Sequence, residues 1–206
     1  MKQTVFYILV LFSLNLLAQN KIIIDADFDV ENKEICVKQT IEYYNTSSDT
    51  LHTIYLTDWN NSFSSKNTPL AKRFAEEFNS SFHFADFDDR GFTMVTNIVD
   101  ANKNNLSYKR NKEQPDILEV TLEEPLQPQS SYKINVDYTL IIPDSRFTRY
   151  GVNNDNSFML KYWYLTPAVY DGKWNLFSNK NIDDSFIPKS DIEITVEYPS
   201  NFYVTS

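Results

Sequence analysis

The chain has 206 residues, 19 Lys and Arg against 28 Asp and Glu, and a formal charge of −9. Its basic residues cluster no further than pairs such as Lys72-Arg73 and Lys109-Arg110, and so acidic a chain repels phosphate backbones, which excludes nucleic acid as a partner. Three glycines exclude Gly-rich phosphate loops, and the single cysteine, Cys36, excludes an internal disulfide and reads as a small buried core residue.

The first element in chain order is a secretory signal over residues 1–18. Lys2 gives the positive end, Val5–Leu17 the apolar stretch and Ala18-Gln19 a small-residue cleavage point. The apolar stretch is shorter than the about 20 residues a membrane span needs, and no later segment is apolar enough to span. The protein is therefore expected to be exported, to the periplasm or to the extracellular or cell-surface space, with no transmembrane segment after the signal.

Apolar residues then recur with period 2 at Ile22-Ile24-Ala26-Phe28-Val30 and Ile35-Val37-Gln39-Ile41-Tyr43, and later at Ile134-Val136-Tyr138-Leu140 and Ile192-Ile194-Val196-Tyr198. This is the pattern of half-buried strands. Further strands are predicted at Leu51–Leu56, Phe92–Val99, Leu106–Arg110, Ile117–Leu122, Ser157–Tyr164 and Trp174–Phe177, with Pro125 and Pro128 in a loop. One helix interrupts them: Thr68 is an N-cap, Pro69 suits the first helical position, and Leu70, Ala71, Phe74, Ala75 and Phe78 form an apolar face over Pro69–Asn79. The Asn79–Arg90 segment reads as a loop tied down by Phe82, Phe84 and Phe87, with Gly91 marking the return to a strand. The predicted fold is mostly β: an antiparallel sandwich with one short helix near 69–79, forming one domain over 19–206. Because Asn201–Ser206 reads as part of a strand, the protein is expected to continue beyond it.

Few residues point to catalysis. His52 and His83 lie 31 positions apart in no H-E-x-x-H frame, and no G-x-S-x-G elbow is present. Adjacent acids at Glu76-Glu77, Asp88-Asp89, Glu123-Glu124 and Asp183-Asp184 point apart on strands and helices, as solvated surface does; only Asp183-Asp184 has a calcium reading beside the solvated one. The glycosylation sequons at Asn45, Asn60, Asn79 and Asn105 mark loops. What stands out is Lys161–Trp174, dense in large amphipathic rings at Tyr162, Trp163, Tyr164, Tyr170 and Trp174.

The alternation from Ile22, the strand end Leu56-Thr57-Asp58-Trp59-Asn60, the helix start Asn67-Thr68-Pro69-Leu70-Ala71-Lys72-Arg73-Phe74, the return Asp89-Arg90-Gly91 and the Tyr162–Trp174 run together resemble one family. They are similar to the N-terminal domain of aminopeptidase N-type zinc metallopeptidases, the gluzincins, in a Bacteroidetes-like exported form. The resemblance implies a saddle-like β-rich domain before a thermolysin-like catalytic domain, which carries H-E-x-x-H and a further Glu as zinc ligands. None of those ligands lies in this chain. The resemblance thus implies no cofactor here, zinc in the missing catalytic domain, and no activity for this chain alone. Its partners would be that downstream domain of the same polypeptide and a peptide substrate. The cleft-lining segment of the family aligns with Tyr162, Trp163 and Tyr164, continuing to Tyr170 and Asp171. Where the family uses Gln or Glu to hold a substrate amine, this chain has phenols that bring no carboxylate charge, so strict aminopeptidase specificity does not follow. The other function open to these aromatics is a secreted sandwich module that binds a glycan or a protein partner.

Overall fold

Period-2 alternation gives each strand one apolar face, and two such faces closing on each other make the core. The structure, a computed structural model, describes residues 19–205; the signal expected over 1–18 lies outside the described residues. Strands β1 (Asn20–Asp29), β2 (Glu34–Tyr44) and β3 (Leu51–Thr57) come first, then β4 (Phe92–Asp100), β5 (Tyr108–Arg110), β6 (Ile117–Leu126) and β7 (Ser131–Ile141). Two-residue pieces β8 (Gly151–Val152), β9 (Phe158–Met159), β10 (Thr166–Pro167), β11 (Val169–Tyr170) and β12 (Trp174–Asn175) lead to β13 (Ser190–Glu197). The large sheet runs β13-β1-β2-β7-β4, antiparallel except where β13 lies parallel to β1. The second sheet runs β10-β3-β6-β5, all antiparallel, while β8-β9 and β11-β12 are separate ribbons. The fold is mostly β, as the alternation predicts.

Ile22 and Ile24 of β1, Ile35, Val37 and Ile41 of β2, and Ile134, Val136 and Leu140 of β7 meet Ile54 and Leu56 of β3 and Leu118 and Val120 of β6 in one buried cluster. Each such side chain removed from water contributes about 1.5–3 kcal/mol. Inside this apolar layer lies one polar knot: Tyr138 Oη donates to Gln39 Oε1 at 2.5 Å, and Gln39 Nε2 donates to the Leu165 carbonyl at 2.6 Å. Satisfying these buried groups ties residue 165 to the middle of the large sheet.

A second cluster forms outside the sandwich from Phe63, Leu70, Phe74, Phe82, Phe147 and Tyr150. Its frame is a 3₁₀ helix at Trp59–Phe63 and helix α1 at Pro69–Glu76. Thr68 caps α1 as predicted, its hydroxyl accepting from Ala71 N at 3.2 Å. The helix stops short of Asn79 because Phe78 takes a left-handed φ of 58° while Asn79 N bonds back to Phe74 O at 2.8 Å, a C-cap geometry more often given to glycine. Phe78 therefore leaves the apolar face and stands 96% exposed. Of the three phenylalanines predicted to tie down the loop after it, Phe82 is buried while Phe84 and Phe87 are exposed. At Gly91 the chain passes so close to Pro143 that a Cβ would sit 2.4 Å from its Cδ, which is why the return to β4 needs glycine.

Other sequence expectations are corrected by pairing. Strand β6 continues through Pro125 to Leu126, whereas the predicted strand over Ser157–Tyr164 survives only as β9 because Tyr162 turns left-handed at φ 55°. Cys36 is exposed, not core: Ile35 and Val37 take the inner face of β2 and turn its thiol outward beside Thr139. Asn45 and Asn60 are buried, so neither of those sequons is accessible. Both histidines are exposed. Among the described residues no helix is long and apolar enough to cross a membrane.

Candidate functional site

Beyond the end of β12 the chain from Leu176 to Lys189 has no regular structure, and polar anchors decide its course. Asn179 is buried: its N–H donates to Asp116 Oδ2 at 2.7 Å and its Nδ2 to Ser62 Oγ at 2.8 Å. Ser178 Oγ adds a bond to Asp116 Oδ1 at 2.9 Å, and Gln114 Nε2 holds the Leu176 carbonyl at 3.4 Å. With its polar groups held inward, the segment turns Phe177, Ile182 and Phe186 outward, exposed at 62%, 57% and 55%.

These three side chains form one wall of an open cleft of about 1150 Å³. Lys72, Arg73 and Glu76 of helix α1 also line it, as does Trp59. Charges of both signs border it, so the lining suits a mixed, partly apolar chain better than a uniformly charged ligand. Arg73 is paired with Glu77 at 2.5 Å and Lys161 with Asp184 at 2.5 Å. Asp184 thus already has a cation, and among the described residues no three His, Cys, Asp or Glu side chains are grouped to hold a metal. These cleft residues do not fit a zinc site.

The aromatic run lands around this cleft unevenly. Of the five predicted cleft residues only Asp171 lines it, where it accepts from Asn175 Nδ2 at 2.9 Å. Tyr162 adjoins it, its ring 5.1 Å from Trp59 and 4.9 Å from Lys161 Nζ. Trp163 and Tyr164 turn the other way, against the sandwich core: Trp163 packs edge-on to Phe28 at 6.1 Å and to Tyr164 at 5.5 Å, and burial pushes the Tyr164 phenol above its ordinary range. Tyr170 donates its hydroxyl to Asp49 at 2.7 Å and packs on Trp174, which Tyr43 and Tyr55 also contact. The composition of the run gave no sign of this division, and the wall formed by Phe177, Ile182 and Phe186 was missed. Its only signal was three large apolar residues lying outside any period in an Asn- and Asp-rich stretch.

Beneath the cleft sits a buried polar network. Asp58 accepts from Arg110 at 2.6 Å, from Thr93 Oγ1 at 2.7 Å and from Asn61 N at 3.3 Å. Its own N–H donates to the Asp116 carbonyl at 2.8 Å, which joins the two aspartates. Asn60 extends the network, donating to Phe92 O at 2.8 Å and Ile141 O at 3.1 Å while accepting from Tyr150 Oη at 3.0 Å. Burial pushes Asp116 up to about 6 from an ordinary 3.8, against the lowering effect of its bonds from Asn179 and Ser178. Between those two values the folded protein holds a proton that the unfolded chain releases, so the stability this carboxyl lends is present below pH 4 and is lost as pH rises through about 6. The unfolding free energy of the wild type relative to Asp116→Asn is expected to fall by about 3 kcal/mol between pH 4 and pH 7, read from urea unfolding at each pH. A difference independent of pH would show that Asp116 stays ionised in the folded state.

No protein-family model and no curated protein matches the chain. Among solved structures it is similar to a mutant M1 zinc metallopeptidase from Deinococcus radiodurans bound to a Tyr-Ser-Ala substrate, with 11% identity, a TM-score of 0.36, and coverage of 60% of this chain and 20% of that one. A solved structure of the M1 zinc metallopeptidase from Deinococcus radiodurans gives 12% identity and a TM-score of 0.35 over the same shares. The chain therefore spans about a fifth of the length of the solved structures it matches.

Proposed function

We propose that this chain is the noncatalytic β-domain of an exported zinc metallopeptidase of the aminopeptidase type. In this reading it packs on a downstream catalytic domain of the same polypeptide and lends one wall to the peptide cleft, with Asp171 on that wall and Tyr162 beside it. The observation that carries the reading is the open cleft, where Phe177, Ile182 and Phe186 project from a segment anchored at Asn179. Apolar rings held outward by a buried polar anchor are a surface waiting for a partner. The sequence resemblance supplies the peptidase part: the helix start at Asn67–Phe74 and the Tyr162–Trp174 run belong to the stretches that carry it. Zinc and the reacting groups are assigned to the catalytic domain, and the role of this chain is to bind and orient.

The test is to read the gene beyond the Ser206 codon for H-E-x-x-H, then to assay the full-length protein for bound zinc and peptide hydrolysis. Hydrolysis lost to a chelator supports the reading, and hydrolysis undiminished in chelator removes it. In that protein Phe177→Ala is expected to raise KM by about tenfold with kcat within about twofold, as loss of apolar contact to bound peptide requires. A kcat that falls instead would place Phe177 in transition-state binding. The glycan-binding alternative asks for free ring faces, and Trp174, held among Tyr43, Tyr55 and Tyr170, gives it less support.

A further inference from the structure

The buried network beneath the cleft holds two carboxylates and one cation. Asp58 and Asp116 are both buried, and the cation, Arg110 of β5, is ion-paired with Asp58 at 2.6 Å and bonded to the Pro115 carbonyl at 2.9 Å. Among the described residues Asp116 has no ion pair. The Asp58 N–H on the Asp116 carbonyl keeps the two acids close, so a charge on Asp116 meets repulsion from Asp58. Glu113 before it and Lys180 on the segment that covers it are exposed to solvent. Ionising Asp116 therefore buries a second negative charge that has no cation of its own.

That carboxyl also holds the cleft wall. Its Oδ2 accepts from Asn179 N at 2.7 Å and its Oδ1 shares a hydrogen with Ser178 Oγ at 2.9 Å. As the neutral acid, Oδ1 donates to the hydroxyl while Oδ2 still accepts from the amide, so both bonds survive protonation. No residue from Leu176 to Lys189 joins either buried apolar cluster, and polar bonds decide whether the segment stays. Besides the two at Asp116 these are Asn179 to Ser62, Gln114 to the Leu176 carbonyl, Asn20 to the Lys189 carbonyl and the exposed pair Lys161–Asp184. Phe177 and Phe186 meet edge-on at 6.4 Å, which ties two rings of the wall into one unit.

We propose that Asp116 is a proton-operated latch for the cleft wall: as the neutral acid it holds residues 176–186 against the sandwich, and its ionisation releases them. Burial raises the Asp116 carboxyl from 3.8 to about 6 while the segment is in place, and release returns it to water and to its ordinary range. The latched form is thus favoured at low pH, and the advantage is lost as pH rises through about 6. The bonds of the latch are all on the inner side of the segment, made to residues 58 to 116 of the same domain.

The experiment is hydrogen exchange in the full-length protein at pH 5 and pH 8, with no peptide present. Each rate is divided by that of an unstructured chain at the same pH to give an opening constant. Over residues 176–186, Asn179 N–H included, this constant is expected to rise by about tenfold from pH 5 to pH 8 and to exceed that of Leu51–Thr57 at both. Asp116→Asn, whose amide donates to Ser178 and accepts from Asn179 as the neutral acid does, is expected to keep the constant within about twofold over that range. A wild-type constant that does not change with pH overturns the proposal, as does an equal rise in Asp116→Asn, which assigns the titration to another group. Exchange over 176–186 no faster than over Leu51–Thr57 also overturns it, because the segment then leaves only when the whole domain unfolds. Use of the latch to gate peptide rests on the peptidase reading, whereas exchange without peptide stands or falls apart from it.

Discussion

Replacing Asp58 by alanine is expected to lower the unfolding free energy by about 3–5 kcal/mol, the usual cost of removing one partner from a buried ion pair. The side chain is 1% exposed and accepts bonds from a guanidinium, a hydroxyl and a backbone N–H. Its loss strands the buried Thr93 hydroxyl and leaves the half-buried Arg110 with only its second bond, to the Pro115 carbonyl at 2.9 Å, while Asn61 N keeps the Asp58 backbone carbonyl at 3.1 Å. Asp58→Asn keeps an acceptor for Thr93 and removes the charge, so a smaller loss of about 1–2 kcal/mol is expected. For a domain of this size the alanine variant should melt about 10 °C lower. Losses below about 1 kcal/mol for Asp58→Ala would mean that the network is solvated and that the 3₁₀ helix over Trp59–Phe63 is held by Phe63 alone.

The second large effect separates two neighbouring phenylalanines. Phe82→Ala is expected to cost about 3–5 kcal/mol and Phe84→Ala less than about 0.5 kcal/mol, measured by chemical unfolding. Phe82 is 1% exposed and sits among Phe63 at 6.3 Å, Phe74 at 5.9 Å and Phe147 at 4.9 Å, whereas Phe84 is 77% exposed and meets the His83 ring at 5.2 Å. Deleting Phe82 opens a cavity between Phe74 of α1 and Phe147. Equal losses at the two sites would contradict the packing of this loop.

The Phe82 and Phe84 pair also shows where reading the sequence stops. Both lie in one aromatic loop and have the same side chain, so nothing local separates them; the approach of Phe63, Phe74 and Phe147 buries one. Phe78 is a comparable case. Its spacing from Leu70 and Phe74 predicts the apolar face of a helix, but the left-handed turn that ends α1 carries it into solvent. Thr68 and Pro69, by contrast, were legible because capping is settled within four residues. Most of the candidate cleft was not legible. Asp171 was named from the aromatic run, but Phe177, Ile182 and Phe186 face outward because Asn179 is buried against Asp116 and Ser62, contacts 63 and 117 residues away in sequence.

By itself the sequence determined the β class of the protein, the inner faces of its long strands and the start of its helix. Each of these follows from the two-residue period of a strand or from hydrogen bonds within one turn, and neither depends on what packs against it. The tertiary structure alone decided that Trp163 and Tyr164 turn to the core while Asp171 reaches the cleft, and that β13 runs parallel to β1. Those outcomes depend on which remote segment covers which face, and burial of a face is a property of two pieces of chain at once.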